Sequence, residues 1–127
     1  MTPDAPVRVL VLEDEDSIRR LTVDLLTDEG FEVRAAPDGR QGLAILDEWR
    51  PDVIVLDLMM PVMDGRAFHA ALRSAASGSR VPIVVLSGAR QASVIGEELG
   101  AVATIVKPFD LDEFVAAVSD AARAGAA

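Results

Sequence analysis

The sequence predicts an α/β domain in which five strands alternate with five helices around one parallel sheet. Short apolar runs rich in β-branched residues recur along the chain, without the polar alternation of a half-exposed strand. Segments with apolar residues at helical spacing separate these runs. Five such units in 127 residues fit an open sheet, because an eight-fold barrel needs about 250 residues. Right-handed crossovers then place helices on both faces of the sheet.

The apolar runs are the predicted strands. The clearest of them reads V-I-V-L and ends abruptly at the carboxylate of Asp57, which is followed by turn residues. A run of this kind is typical of a strand buried on both faces. The five predicted strands span residues 7–12, 31–35, 53–56, 81–86 and 102–106.

Capping and turn residues bound the first two predicted helices. Asp16 or Ser17 can cap the first helix, and Gly30 has the position of a residue just past a helix C-terminus. The second helix follows turn chemistry at residues 37–39 and is closed by the proline of Arg50-Pro51.

The remaining three helices follow the third, fourth and fifth strands. The third begins after Gly65, the fourth spans residues 90–99, and Asp110 with Glu113 makes a capping-box start for the last. The alanine-rich end at residues 121–127 is either a frayed helix end or the start of a linker.

Composition excludes several classes of function. The chain has no cysteine, which removes disulfides, thiolate metal sites and thiol catalysis. Its net charge of −9 argues against direct nucleic-acid binding. No apolar run approaches the ~20 residues that span a bilayer, and the N-terminus shows no secretory signal. We expect a single-domain cytoplasmic protein over residues 1–127 with no membrane contact.

Chemically active residues follow four of the predicted strands. Glu13 and Asp14 follow the first strand, Asp57 the third, Ser87 the fourth and Lys107 the fifth. Because parallel strands end at the same edge of a sheet, and open α/β sheets bind ligands there, these side chains are expected to converge.

Their chemistry favours a magnesium-assisted phosphoryl site. Three carboxylates packed together repel unless a cation compensates them, and oxygen donors without histidine or cysteine select Mg²⁺. Asp57 beside Mg²⁺ and Lys107 could attack phosphorus and hold an aspartyl phosphate. Lys107, the only lysine of the chain, would neutralise phosphoryl charge, and Ser87 would donate a hydrogen bond.

Four short motifs, in order along the chain, resemble those of a known family. They are V-L-E-D-E at residues 11–15, D-L-M-M-P-V-M-D-G from Asp57, L-S-G-A at residues 86–89 and K-P-F at residues 107–109. Together they resemble a response-regulator receiver domain of two-component signalling over residues 7–122. The resemblance implies a doubly wound, flavodoxin-like sheet in the order 2-1-3-4-5, with residues 123–127 as a tail or linker start.

The resemblance also implies the roles of the acidic residues. Asp57 accepts a phosphoryl group from a sensor histidine kinase or phosphotransfer protein and signals to a downstream effector domain or protein. Asp14 and Asp57 bind Mg²⁺ through side chains, Met59 through its backbone carbonyl, and Glu13 largely through water. Such a domain catalyses only its own phosphorylation and dephosphorylation and is otherwise not an enzyme.

The same resemblance places Ser87, Gly88 and Lys107 around the phosphoryl group and implies a cis Lys107-Pro108 bond. One position departs from the family pattern. Thr104 stands three residues before the lysine, where most members have a tyrosine or phenylalanine that rotates inward on phosphorylation. The aromatic half of the usual switch is therefore missing.

Three other functions stay open at this point. A phosphohydrolase with an aspartate nucleophile commonly needs a second acid two residues later, where this chain has Met59. A nucleotide or flavin binder should offer glycines and hydroxyls after the first strand, where this chain has four consecutive acids at residues 13–16. A phosphorylation-independent interaction module is the third. Homodimerisation through the fourth and fifth helices is also open.

Overall fold

A five-stranded parallel sheet forms the centre of the protein. The structure is a computed structural model that describes residues 6–57, 70, 81–87, 103–106 and 110–126. The strands are β1 (Arg8–Leu12), β2 (Glu32–Ala36), β3 (Val53–Asp57), β4 (Ile83–Ser87) and β5 (Ala103–Val106). They lie in the order β2-β1-β3-β4-β5, and every neighbouring pair is parallel. The predicted fold class and strand order are confirmed.

Three helices are described. They are α1 (Asp16–Asp28), α2 (Gly39–Leu46) and a C-terminal helix (Leu111–Ala126). The predicted third and fourth helices lie outside the described residues, except for Ala70, which is helical. In the part of the chain that the structure describes, no helix is long and apolar enough to cross a membrane.

The sheet separates two apolar cores because successive strand residues point to opposite faces. In β1, Leu10 and Leu12 contribute to one core, whereas Val9 and Val11 contribute to the other. The first core contains Leu46 of α2, and the second contains residues of the two other described helices: Leu26 of α1 with Phe114 and Val118 of the C-terminal helix. Both faces of the central strands are therefore buried, which accounts for their uninterrupted apolar sequences.

The start of α1 differs from the prediction, and its end agrees. The N-cap residue is Glu15, rather than Asp16 or Ser17, and its side chain makes no capping hydrogen bond. Asp16 is the first helical residue, and its carboxylate accepts a hydrogen bond from Arg19. This pairing turns the Asp16 side chain along the helix instead of across its first amides. Gly30 follows the helix with φ of 97°, as expected of a left-handed terminator.

The second helix is shorter than predicted. Asp38 caps it, with Oδ1 accepting from the Gln41 backbone N–H at 2.8 Å. The helix ends at Leu46, before the predicted closure at Arg50-Pro51. Trp49, which the periodicity predicted to lie in the helix, follows it and packs into the first core. After Leu46 the backbone N–H groups of Asp47 and Glu48 donate to carbonyl oxygens three residues earlier, a tightened last turn that ends the helix before Trp49.

The last helix begins close to its predicted start and continues into residues 123–126, which the sequence predicted as a tail or linker start. Asp110 Oδ1 accepts from the backbone N–H of Asp112 at 3.2 Å, one residue earlier than the Glu113 amide of a capping box. The helix then continues to Ala126, so most of the alanine-rich end is helical.

A glycine allows α2 to approach β1 closely. A Cβ atom added at Gly42 would lie 2.5 Å from Cδ2 and 3.3 Å from Cδ1 of Leu12. Leu12 is only 1% exposed, so its side chain has little room to move away. This contact between Gly42 and Leu12 lies next to the predicted site, because Leu12 is followed directly by Glu13.

We predict that Gly42→Ala lowers the free energy of unfolding by about 1–2 kcal/mol. Overpacking a core usually costs about 1–3 kcal/mol, and the gain of up to about 1 kcal/mol that alanine brings to a helix interior offsets part of this cost. Urea unfolding measures the change. In a Leu12→Val background, which lacks the Cδ atoms, the same substitution should cost clearly less; an equal cost in both backgrounds would exclude this contact as the cause.

Candidate functional site

The register of β1 with β3 sets two of the predicted site residues, Glu13 and Asp57, at the same level of the sheet. Leu12, the last residue of β1, pairs with Leu56 of β3. The next residues along these two neighbouring chains are Glu13 and Asp57. Both carboxylates therefore belong to positions at the carboxyl end of the sheet, as the sequence predicts.

The next two strands continue this edge. Asp57 pairs with Leu86, so Ser87 stands one residue further along β4. Ser87 in turn pairs with Val106 of β5, after which the chain continues to Lys107. Asp57 and Ser87 are the last residues of their strands rather than the first residues after them, because the ladder pairing extends one residue further than the apolar runs.

Several predicted site groups lie outside the described part of the chain. For Asp57, Ser87 and Thr104 the backbone is described and the side chain is not. Thr104 pairs with Val85 in the sheet. The remaining predicted site residues are Met59, Gly88 and Lys107, and these, together with the Lys107-Pro108 bond, lie outside the described residues.

Glu13 and Asp14 are neighbours with different environments. Glu13 is buried, with 3% of its surface exposed, whereas Asp14 is exposed. The backbone N–H of Glu13 donates to the carbonyl oxygen of Ala36 at 3.1 Å. Its Oε1 accepts from the backbone N–H of Glu15 at 3.4 Å. The loop therefore turns one carboxylate inward and leaves the other at the surface.

These donors are chemically suited to a hard cation. Buried carboxylates in proteins are generally paired or bound to a cation. Glu13 is followed in the sequence by Asp14, and it lies level with Asp57 of the neighbouring strand. Carboxylate and carbonyl oxygens are the ligands that Mg²⁺ prefers. Among the described residues no three acidic, histidine or cysteine side chains group around a common centre. The predicted set also includes the Asp57 side chain and the Met59 carbonyl, which are not among them.

Arg19 belongs to this edge, although the sequence reasoning did not single it out. Its guanidinium donates to the carbonyl oxygen of Glu13 at 3.0 Å and to the carboxylate of Asp16. The spacing of three residues between Asp16 and Arg19 on a helix is the signal that could have indicated the second contact. No local pattern indicates the first contact, because it depends on how the chain turns between β1 and α1.

The fold and this edge define a class of protein, the doubly wound α/β domains with an acidic site at the carboxyl ends of parallel strands. A family model for the response regulator receiver domain matches residues 9–119. The transcriptional regulatory protein PrrA of Mycobacterium bovis is 44% identical over 113 residues, which are 87% of this chain and 48% of that protein.

Two solved structures show the same fold. The chemotaxis response regulator CheY4 of Vibrio cholerae has a TM-score of 0.83 and 34% identity, over 92% of this chain and 99% of that chain. The receiver domain of the sensor histidine kinase PA1611 of Pseudomonas aeruginosa has a TM-score of 0.85 and 26% identity, over 94% and 99% of the two chains. That structure has a magnesium ion coordinated in its active site cleft.

The chain therefore belongs to the response regulator receiver domain family. It is a signalling domain of two-component systems, whose role is to accept a phosphoryl group. The chain spans about half the length, or less, of the first curated relatives that it matches.

Proposed function

We propose that Asp57 is the phosphoryl acceptor and that the donor is the phosphohistidine of a sensor histidine kinase or phosphotransfer protein. In this reaction a carboxylate oxygen of Asp57 forms a bond to phosphorus while the phosphorus–nitrogen bond breaks. The electron pair of that bond stays on the imidazole nitrogen of the donor. The product is an aspartyl phosphate on this chain and an unphosphorylated donor histidine.

The observation that supports this proposal most directly is the register of β1 with β3. Asp57 is the last residue of β3, and Glu13 directly follows the last residue of the neighbouring β1, so acidic residues of two chain segments share one edge. The other aspartate next to β3 is Asp52, at its opposite end, where Oδ2 accepts from the Arg8 backbone N–H at 2.9 Å. Of the two, only Asp57 lies at the edge where ligands bind in such sheets.

The supporting groups divide between metal and phosphoryl binding. Asp14 and Asp57 would hold Mg²⁺ through their side chains, Met59 through its carbonyl oxygen and Glu13 through water. When bound, Mg²⁺ would offset the negative charge that gathers between the carboxylates and the phosphoryl group. The buried position of Glu13 supports its part in this set.

Ser87 and Lys107 would contact the phosphoryl oxygens, with Gly88 in the same loop. The pairing of Ser87 with Val106 supports this assignment, because Lys107 follows Val106 directly in the sequence. A hydroxyl donor and a compact ammonium would then stabilise negative charge on the phosphoryl group.

The phosphorylated chain would signal to a downstream effector domain or protein. The relative PrrA is named a transcriptional regulatory protein and is about twice as long as the matched segment. The net charge of −9 supports a receiver that contacts protein, with any nucleic-acid contact made by another domain. Thr104 lies on β5 beside Val85 and brings no aromatic ring to the relay.

The reaction is expected to end at the chain's own aspartyl phosphate and its slow hydrolysis. A phosphohydrolase would turn over free phosphate esters and commonly uses a second acid two residues after the nucleophile. Here that residue is Met59. Methionine at that position cannot serve as the general acid of such turnover.

We predict that acetyl phosphate with Mg²⁺ adds one phosphoryl group to this chain and that Asp57→Asn abolishes the addition. The carboxamide of asparagine is a far weaker nucleophile than a carboxylate. Intact-protein mass spectrometry measures the label.

Asp52→Asn is the matched control for this substitution. It removes the same charge beside the same strand, and its amide oxygen can still accept from Arg8, so labelling should stay at the wild-type level. If Asp57→Asn is labelled as fully as the wild type, the assignment of the acceptor is wrong.

We also predict that Asp14→Asn weakens Mg²⁺ binding at least about tenfold, since loss of a direct ligand should cost no less than loss of an outer partner. Isothermal titration calorimetry measures the affinity, and chelation of Mg²⁺ should stop labelling by acetyl phosphate. Asp24→Asn removes an exposed carboxylate from α1 and should leave the affinity close to that of the wild type. Equal weakening by both substitutions would show that only net charge matters.

A further inference from the structure

The loop that carries the predicted metal-binding carboxylates is only three residues long. β1 ends at Leu12 and α1 begins at Asp16, so the loop consists of residues 13–15. Its last residue, Glu15, is the N-cap of α1, and no side-chain hydrogen bond caps the helix there. The conformation of the loop must therefore be held by other contacts.

The guanidinium of Arg19 supplies such contacts from the first turns of α1. Nη1 donates to the carbonyl oxygen of Glu13 at 3.0 Å, and Nη2 donates to a carboxylate oxygen of Asp16. The Arg19 side chain is 20% exposed, whereas that of Asp16 is 77% exposed. The planar guanidinium fork of Arg19 thus connects the first residue of the loop to the first residue of the helix.

The bond to Glu13 has a direct geometric consequence for Asp14. The Glu13 carbonyl and the Asp14 N–H belong to one planar peptide unit. The N–H of Glu13 is already held by the carbonyl oxygen of Ala36 on β2. With Arg19 on the carbonyl, both backbone polar groups of Glu13 are bonded, and the peptide plane that leads into Asp14 is held with them.

We propose that Arg19 is a positioning residue for the magnesium site, holding the 13–14 peptide in the orientation from which Asp14 binds the cation and Glu13 contacts it through water. This inference deepens the proposed function and depends on Mg²⁺ binding at this edge. Arg19 itself donates to backbone and to Asp16, and it acts on the cation only through the loop.

The sign of the effect separates positioning from simple electrostatics. A guanidinium close to a cation site repels the cation, so loss of its charge alone would tighten Mg²⁺ binding. Loss of the fork would release the loop and weaken Mg²⁺ binding. The positioning role predicts the second outcome, because partners that orient metal ligands typically contribute 10–100-fold to affinity.

The experiment is a calorimetric Mg²⁺ titration of the full chain at constant ionic strength, with thermal unfolding of each variant as a folding check. Arg19→Ala is expected to raise the Kd for Mg²⁺ roughly tenfold. Arg19→Lys keeps the charge and loses the planar fork, so its Kd should fall between those of the wild type and Arg19→Ala.

Arg20→Ala is the matched control. Arg20 is exposed on the same helix, and its side chain makes no hydrogen bond or ion pair with any residue that the structure describes. Its removal changes the charge equally and should leave the Kd unchanged or slightly lower. Mg²⁺ binding by Arg19→Ala that is as tight as wild-type binding, or tighter, would overturn the inference.

A second pair of variants serves if Arg19→Ala does not fold. Asp16→Asn and Asp16→Ala remove the same charge, and only asparagine keeps an oxygen that can accept from Arg19. We expect Asp16→Asn to bind Mg²⁺ more tightly than Asp16→Ala, and equal affinities would contradict the inference. Failure of the wild-type chain to bind Mg²⁺ would contradict the proposed metal site itself, which distinguishes the two proposals.

Discussion

The pairing of β1 with β3 is the constraint on which the rest of the structure depends. The eight apolar residues of the two strands, Val9 to Leu12 and Val53 to Leu56, are each exposed by 1% or less. When both faces of a strand are buried and apolar, side-chain alternation cannot by itself select the register. The residues at the strand ends must select it.

Polar residues at both ends of this pair do so. At the amino end, the backbone N–H of Asp52 donates to the Arg8 carbonyl at 2.8 Å, and the Arg8 N–H donates back to the Asp52 carboxylate at 2.9 Å. A shift by one residue would break this reciprocal pair and draw a charged residue toward the apolar layer. The same register sets Glu13 level with Asp57 at the other end. The edge that carries the site is thus fixed partly by contacts at the opposite end of the sheet.

Much of this arrangement could be predicted from the sequence, because it follows from which residues can be buried. The apolar runs predicted all five strands, and the carboxylates at their ends predicted the functional edge. What could not be predicted are hydrogen bonds that depend on three-dimensional turns. Asp16 and Ser17 have side chains able to cap α1, and only the path of the loop makes Glu15 the N-cap instead. The spacing of Trp49 from Ile45 and Leu46 is that of a residue on the apolar face of a helix. The same spacing also allows a residue that follows the helix and packs into the same core, as Trp49 does.

The departures from local expectation are concentrated at the β1–α1 loop. It buries a carboxylate, begins a helix without a side-chain cap and sets an arginine within the first turns, where the helix dipole favours anions. By comparison, α2 is capped conventionally by Asp38. A chain whose elements otherwise agree with local rules departs from them where function demands it. The contacts of Arg19 connect these departures, since one guanidinium bonds to the residue that bears the buried carboxylate and to the first residue of the uncapped helix. The loop is therefore better understood as an element whose conformation is held by a side chain of α1 than as an ordinary turn with surplus charge.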